Sequence, residues 1–383
     1  MSAGSKKYRL RSCIGIVRDK QLVEFFDSNT RAGFVIRLAY PRLTELLHRF
    51  DGSLTTAEIG SLHADVAIEE LIDLAQFLHG KRVLIEVDET YPDLYVGSRP
   101  RLISTLEAYF GSTSEVRRSI SIGLQKNVLI IGLGAVGSWV LHCLIKAGVQ
   151  NITVMDNDNV EISNLHRQDL FFEDDIGCSK VEAARHNIKT AYGVRIKTAC
   201  KRMDSVEDLT SLDVRPDLII NCADNPSVDY TSRLVSDFSL KRGIPHIIGG
   251  GYNLHLTLVG QVIVPGVTAC LHCFDKKLSI ANAADLFGVK KLNRKNRKIG
   301  SLGPVCAASA SITATEAMKI VFGIPVEHLA VANKRLEFSL ANLDFGSFAV
   351  ERDLNCSHCS NTGQIICLTG HAVSSSERLL RLN

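Results

Sequence analysis

Val128-Leu129-Ile130-Ile131 runs without a break into Gly132-Leu133-Gly134-Ala135-Val136-Gly137. Four consecutive apolar residues suit a strand buried on both faces. The glycines that follow allow a tight turn whose backbone N–H groups, with a helix N-terminus, can approach phosphate. The pattern restricts the chain to folds built on a strand–turn–helix unit. It also answers a membrane reading: residues 127–145 hold no Asp, Glu, Lys or Arg, but three glycines interrupt them at the spacing of that unit. Asp156 ends the next apolar run, 19 positions after Gly137, where a carboxylate can accept hydrogen bonds from ribose hydroxyls. This much fits any dinucleotide fold, an NAD enzyme included.

Around this unit apolar strands alternate with helices: Val128–Ile131, residues 152–156, Leu218–Asn221 and residues 246–249. Such alternation predicts an α/β fold with a doubly wound parallel sheet. Beyond about Gly251 the runs become β-like (254–264, 336–340 and 348–352), with a helix over 307–321. The first 90 residues read as a separate, winged-helix-like α+β module. It has β runs at 8–18, 21–26 and 33–38, then a helix after Pro41 carrying Leu43, Leu46, Leu47 and Phe50, stopped at Asp51-Gly52. A second helix has the capping box Thr55/Glu58. Ile68, Leu71, Ala75 and Leu78 stripe a third, and a strand at 83–87 closes the module. A chain of 383 residues predicts two or three domains. The expected division is 1–90, a linker and helix at 91–125, and 126–383. With 45% hydrophobic and 22% charged residues, the chain is excluded from disordered and collagenous classes.

After Asp156 the residues become specific. Asp156-Asn157-Asp158-Asn159-Val160-Glu161-Ile162-Ser163-Asn164-Leu165-His166-Arg167-Gln168, followed by Gly177-Cys178-Ser179-Lys180, resembles the signature of the ubiquitin-activating-enzyme-like superfamily of ThiF/MoeB type. The resemblance implies ATP, magnesium and adenylation: a carboxylate attacks the α-phosphate, an acyl adenylate forms and pyrophosphate leaves. Fixed cations and the metal must then meet the negative charge. It implies nucleotide contacts at Gly132, Gly134, Ala135, Gly137, Asp156, Asp158, Asn164, Arg167, Gln168 and Lys180. It gives catalytic roles to Arg167, Lys180 and Asp224, with Asp224 on the magnesium. Arg101 resembles an arginine that members contribute across a dimer, and a homodimer is implied with it. Ala135 stands where glycine is commoner, which narrows the loop slightly.

The N-terminal run from Leu43 through Phe50-Asp51-Gly52-Ser53-Leu54-Thr55-Thr56-Ala57-Glu58-Ile59 to Gly80 resembles the PqqD-like precursor-peptide recognition element. That implies a leader peptide bound as an added strand beside the sheet, with a helix closing the groove. A plain winged helix, or a DNA-binding one, stays open. The stretch 68–78 holds no Lys or Arg, unlike a DNA-reading helix.

Cys270-Leu271-His272-Cys273 and Cys356-Ser357-His358-Cys359 are two C-x-x-C pairs far apart in the chain. A redox pair is the alternative, but two matched pairs favour a closed four-thiolate zinc site that is structural, because no position remains for water. His272 and His358 read as bystanders inside the loops. Superfamily members that charge a protein as a thioester carry a cysteine between the knuckle and the later helix, but residues 274–305 contain none. Cys306 remains a weaker candidate whose default reading is a buried small residue. The eleven cysteines are an odd number, most of them single among apolar residues, which predicts a reducing, cytoplasmic setting.

The net charge of +3 excludes a polybasic nucleic-acid binder, and no membrane association is expected. Lys290, Lys291, Arg294, Lys295, Arg297 and Lys298 supply the excess; without them 38 basic residues face 41 acidic ones. In the superfamily this stretch lies over the nucleotide site; it reads either as a solvated loop or as a patch that attracts an acidic core peptide or pyrophosphate. The expected function is ATP-dependent modification of a ribosomally made precursor peptide by adenylation of a carboxylate. The architecture resembles pantocin-type enzymes most, in which a Glu side chain is activated and cyclised with loss of water. Microcin C-type C-terminal adenylylation, sulfur-carrier adenylylation and a non-catalytic docking subunit of a cyclodehydratase are the alternatives.

Overall fold

The computed structural model describes residues 3–19, 21–37, 40–285 and 300–360. Its contacts divide the chain into two units, Met1–Ser121 and Ile122–Asn383. The basic stretch 290–298 lies outside the described residues, as does Cys367.

The first unit is α+β. Strands β1 (Lys7–Leu10), β2 (Ile14–Arg18), β3 (Leu22–Asp27) and β4 (Gly33–Arg37) precede helix α1 (Leu43–His48). Strand β5 (Asp51–Thr55), helices α2 (Thr56–Leu62) and α3 (Ile68–Gly80), and strand β6 (Leu84–Glu86) follow. Helices α4 (Asp93–Ser98), α5 (Pro100–Glu107) and α6 (Thr113–Gly123) carry the chain to the boundary. The strands form two antiparallel sheets, β5-β1-β6 and β2-β3-β4. Leu46, Leu47, Phe50, Ile59, Leu71 and Leu78 fill the core between helices and strands.

Two expectations need correcting here. The run 8–18 is not one strand. It breaks at the buried Arg11, whose guanidinium donates to the carbonyls of Leu84 at 3.2 Å and Phe110 at 2.8 Å, so its two halves join different sheets. Asp51-Gly52 does not merely stop α1 but opens β5, where the Asp51 carboxylate accepts the Ser53 N–H at 2.8 Å. The capping box at α2 is present in both directions: Glu58 N–H donates to Thr55 Oγ1 at 3.2 Å, and Thr55 N–H to Glu58 Oε2 at 2.7 Å. The buried stripe of α3 begins at Leu71, since Ile68 is exposed.

The second unit starts with β7 (Val128–Ile131), α7 (Gly137–Ala147), β8 (Ile152–Met155), α8 (Lys180–Tyr192) and β9 (Lys197–Ala199). Next come α9 (Val206–Thr210), β10 (Leu218–Asn221), α10 (Val228–Arg242) and β11 (His246–Ile248). The chain continues through β12 (Gly251–Asn253), β13 (Leu256–Val259), β14 (Val262–Ile263), α11 (Leu271–Asp285), α12 (Gly303–Val321), β15 (Lys334–Ser339) and β16 (Asp344–Ala349). The six-stranded sheet has the order β14-β11-β10-β7-β8-β9 and is parallel except for β14 at one edge. A second, antiparallel sheet runs β12-β13-β15-β16.

Every residue of β7, β8 and β10 is buried, as continuous apolar runs require when helices cover both faces. On one face Val140, Leu141 and Leu144 of α7 and Ala310, Ala314 and Ala317 of α12 share a core cluster, and α12's small side chains favour close helix approach. The chain winds outward from β7 to β8 and β9, then returns to the other side of β7 with β10. That reversal puts a topological switch point between β7 and β10, where open α/β sheets form their crevice.

Candidate functional site

A cavity of about 520 Å³ opens at that switch point, lined at its floor by Ile131, Gly132, Asn221 and Cys222. Gly132 sits at φ +87°, and a Cβ there would lie 2.8 Å from the Ala223 nitrogen. Only glycine lets the first turn pass this close to the end of β10. Gly134 and Ala135 line the cavity as well. Gly137 lies behind the loop, where a Cβ would fall 1.9 Å from the Gly132 carbonyl oxygen. It shapes the turn rather than the cavity wall.

Asp156, just after β8, faces the loop. Its carboxylate accepts the Leu133 N–H at 2.6 Å and the Asp158 N–H at 2.8 Å, so it braces the glycine turn and keeps lone pairs for a ligand. Burial pushes this carboxyl above its ordinary pKa, against the pull of Lys180 and the two backbone donors. Lys180 begins α8 and is itself buried. Its ammonium meets the Asp158 carboxylate at 2.8 Å, and its N–H donates to the Asp158 carbonyl at 2.9 Å.

Asn164, also buried, accepts the Glu161 N–H at 3.0 Å through its side-chain oxygen, closing the 162–164 turn. Arg167 follows on that turn, anchored by its own guanidinium to the Ser163 carbonyl. Asn164, Arg167, Gln168, Lys180 and Asp224 all line the cavity with Asp156 and Asp158. Cations and acids gathered around a glycine turn could hold the phosphates of a nucleotide together with a divalent ion. The exposed Asp224 carboxylate is suited to hold magnesium. Arg101 belongs to the first unit, exposed in the first turn of α5.

Among the lining residues that a reading from sequence does not assign to the site are Lys201, Arg202 and Asn225. The first two follow β9, which has no apolar run to announce it. Lys201 pairs with Asp208 at 2.9 Å and Arg202 with Asp204 at 2.7 Å, so both cations enter the site already partnered by acids. The signal that could have found them is the basic pair itself, one loop beyond the signature.

The four cysteines meet in the same unit. Sγ separations are 3.7 Å for Cys270–Cys273, 3.7 Å for Cys270–Cys356 and 3.8 Å for Cys273–Cys359, and all four residues are buried. A tetrahedral ion with Zn–S of ~2.3 Å requires edges of about 3.8 Å, so the residues fit zinc. Burial drives the Cys270 thiol up in pKa. At Cys356 burial is outweighed by the N–H groups of His358 and Cys359, which bring the thiol down. His272 and His358 stack with centroids 3.3 Å apart and planes 7° from parallel. With Asp237 the two imidazoles place their ligand atoms within 4.8 Å of one another, a second group of side chains that could hold a metal ion. Cys306 lies in the first turn of α12, which begins at Gly303, and is fully buried. Its thiol is raised by burial, and Ser301 Oγ stands 3.3 Å away. That placement does not offer a nucleophile.

Residues 123–359 match the ThiF family. The chain belongs to the ThiF family. This ThiF-family chain is 31% identical over 231 residues to the sulfur carrier protein ThiS adenylyltransferase of Bacillus subtilis, covering 57% of this chain and 62% of that protein. It is 29% identical over 247 residues to the sulfur carrier protein adenylyltransferase of Thermus thermophilus, covering 62% and 83%. Among solved structures, it shares its fold with Escherichia coli MccB crystallised with ATP, at a TM-score of 0.72, 21% identity, and coverage of 92% of this chain and 99% of that one. The PaaA structure gives a TM-score of 0.66, 20% identity, and coverage of 90% and 100%. The fold likeness therefore extends well beyond the residues that match the family. No helix among the described residues is long and apolar enough to cross a membrane.

Proposed function

We propose that this ThiF-family chain adenylates a carboxylate of a ribosomally made precursor peptide, using ATP and magnesium, and that zinc in the four-cysteine cluster holds its fold. The observation that carries the reading is the ring of Arg167, Lys180 and Asp224 around the glycine turn. In it, Gly132 and Gly134 admit the phosphates and Asp156 receives the ribose. Asn164 and Gln168 add hydrogen bonds, Arg167 and Lys180 neutralise the charge that develops as pyrophosphate leaves, and Asp224 holds the metal. With Cys306 sealed in a helix, the adenylate would be captured directly rather than passed to a thiol.

Extension of the fold likeness to PaaA and MccB over nine-tenths of the chain favours a peptide substrate. The first unit would receive its leader as a strand added to a sheet edge. Cyclisation of an activated Glu side chain with loss of water is the preferred outcome. Arg101 would serve the second copy of a homodimer. The experiment is to incubate the protein with ATP, magnesium and the short peptide encoded beside its gene, then weigh the product. Loss of one water supports cyclisation; a retained nucleotide replaces it with C-terminal adenylylation.

A second reading, adenylation of a sulfur-carrier protein, is favoured by the curated relatives at 29–31% identity. Pyrophosphate exchange stimulated by a carrier ending in Gly-Gly, and not by the peptide, would establish it. A docking subunit without activity fits least, because Asp156, Arg167, Lys180 and Asp224 share one cavity. Peptide-dependent ATP consumption by the chain alone excludes it.

A further inference from the structure

Arg167 sits on a short turn, yet two side chains of α7 grip that turn from behind. The Trp139 indole N–H donates to the Arg167 carbonyl at 3.1 Å. One helical turn further on, His142 Nδ1 bonds the Asp169 carboxylate, while its Nε2 faces the Tyr192 hydroxyl at 3.1 Å, at the end of α8. The Trp139 and His142 rings lie nearly parallel, 16° apart with centroids at 6.3 Å. Residues 167 and 169 are thus held on either side of the buried Gln168, all from the helix whose N-terminus forms the glycine turn.

We propose that Trp139 is a positioning residue for Arg167, fixing the cation to the phosphate-binding turn so that both meet ATP as one rigid body. The inference rests on the nucleotide reading of the cavity. It does not depend on which carboxylate is activated. The indole N–H is the only part of Trp139 that reaches the 163–169 turn by a hydrogen bond among the described residues. Without it the Arg167 carbonyl loses its donor, and His142 to the Asp169 carboxylate is left as the side-chain hydrogen bond from α7 to the turn. Loss of the bond lets the turn populate arrangements in which Arg167 misses the phosphates, so ATP affinity should fall by about fivefold to tenfold.

The test is a binding cycle on the full chain with ATP and magnesium, read by calorimetry. Wild-type protein that fails to bind ATP would overturn the nucleotide reading itself. With binding established, W139F should weaken it about fivefold to tenfold, and should add less than about twofold in an R167A background, because its effect passes through the Arg167 side chain. Equal losses in both backgrounds, or none in either, would overturn the positioning role. A variant that does not fold is covered by a second measurement needing no change at Trp139. The chain has one tryptophan, so its emission reports this contact. Saturating ATP should shift the emission of the wild type and leave that of R167A unchanged, whereas the same shift in both would sink the proposal.

Discussion

Asp158 holds Lys180 twice, through its carboxylate at 2.8 Å and through its carbonyl at 2.9 Å. The ammonium is buried, with 6% of its side chain exposed, while the carboxylate is 59% exposed. In the proposed cycle the acid keeps the cation aimed until phosphate replaces it.

Asp158→Ala therefore leaves Lys180 without its anion in the empty protein. The expected outcome is a Tm lowered by a few degrees, with a larger rise on adding ATP than wild type shows, because the nucleotide then supplies the missing charge. Thermal unfolding with and without ATP measures both. An equal rise in the two proteins would show that Asp158 does not hold Lys180 for the ligand.

Asp224→Asn should preserve the fold and raise the magnesium concentration needed for adenylation by about tenfold or more, since one carboxylate is a large part of a Mg²⁺ site's charge. Pyrophosphate exchange titrated with magnesium reads this directly. Rates that fall by the same factor at every magnesium concentration would assign Asp224 some other duty.

Metal analysis should find one zinc per chain. Cys273→Ala should release it and lower the Tm steeply, because the cluster ties the start of α11 to the 356–359 turn. A strong chelator added to wild type should do the same without any substitution. Retention of full stability in the metal-free protein would refute a structural role.

His246 on β11 is fully buried with no hydrogen-bond partner at either ring nitrogen among the described residues, and burial brings its pKa from 6.5 down to about 4. The unfolded chain thus binds a proton that the folded chain refuses between pH 6.5 and 4. Stability from this residue is present above pH 6.5 and is lost as pH falls toward 4, by up to about 1.4 kcal/mol per pH unit. Denaturant titrations of wild type and His246→Leu across that window check it; the variant should show a shallower slope.

What could be read from sequence follows from how locally the chemistry is written. The strand β7, the glycine turn and Asp156 carry their signals within one βαβ stretch, and the signature residues after it lie in one cavity because a single turn holds them. Strand β9 is three residues long with the pattern Lys-Thr-Ala at a sheet edge, so no apolar periodicity marks it, and Lys201 and Arg202 escape notice with it. The break at Arg11 depends on carbonyls at positions 84 and 110, and the Trp139–Arg167 bond spans 28 residues. Nothing in a local window encodes such partners. Asp158 shows the intermediate case: its place beside the nucleotide is legible, but its service to Lys180 needs the geometry.

The cysteine pairs stand 86 positions apart, and this separation orders events in the life of the chain. A nascent chain that has emerged only as far as Cys273 offers two thiolates, too few to retain an ion firmly. Capture must wait until Cys359 is out, by which point β7 to β16 have all been made. An ion bound there would register that the ThiF-family unit has been made as far as Cys359, so cells starved of zinc should accumulate protein whose 356–359 turn is open to proteases.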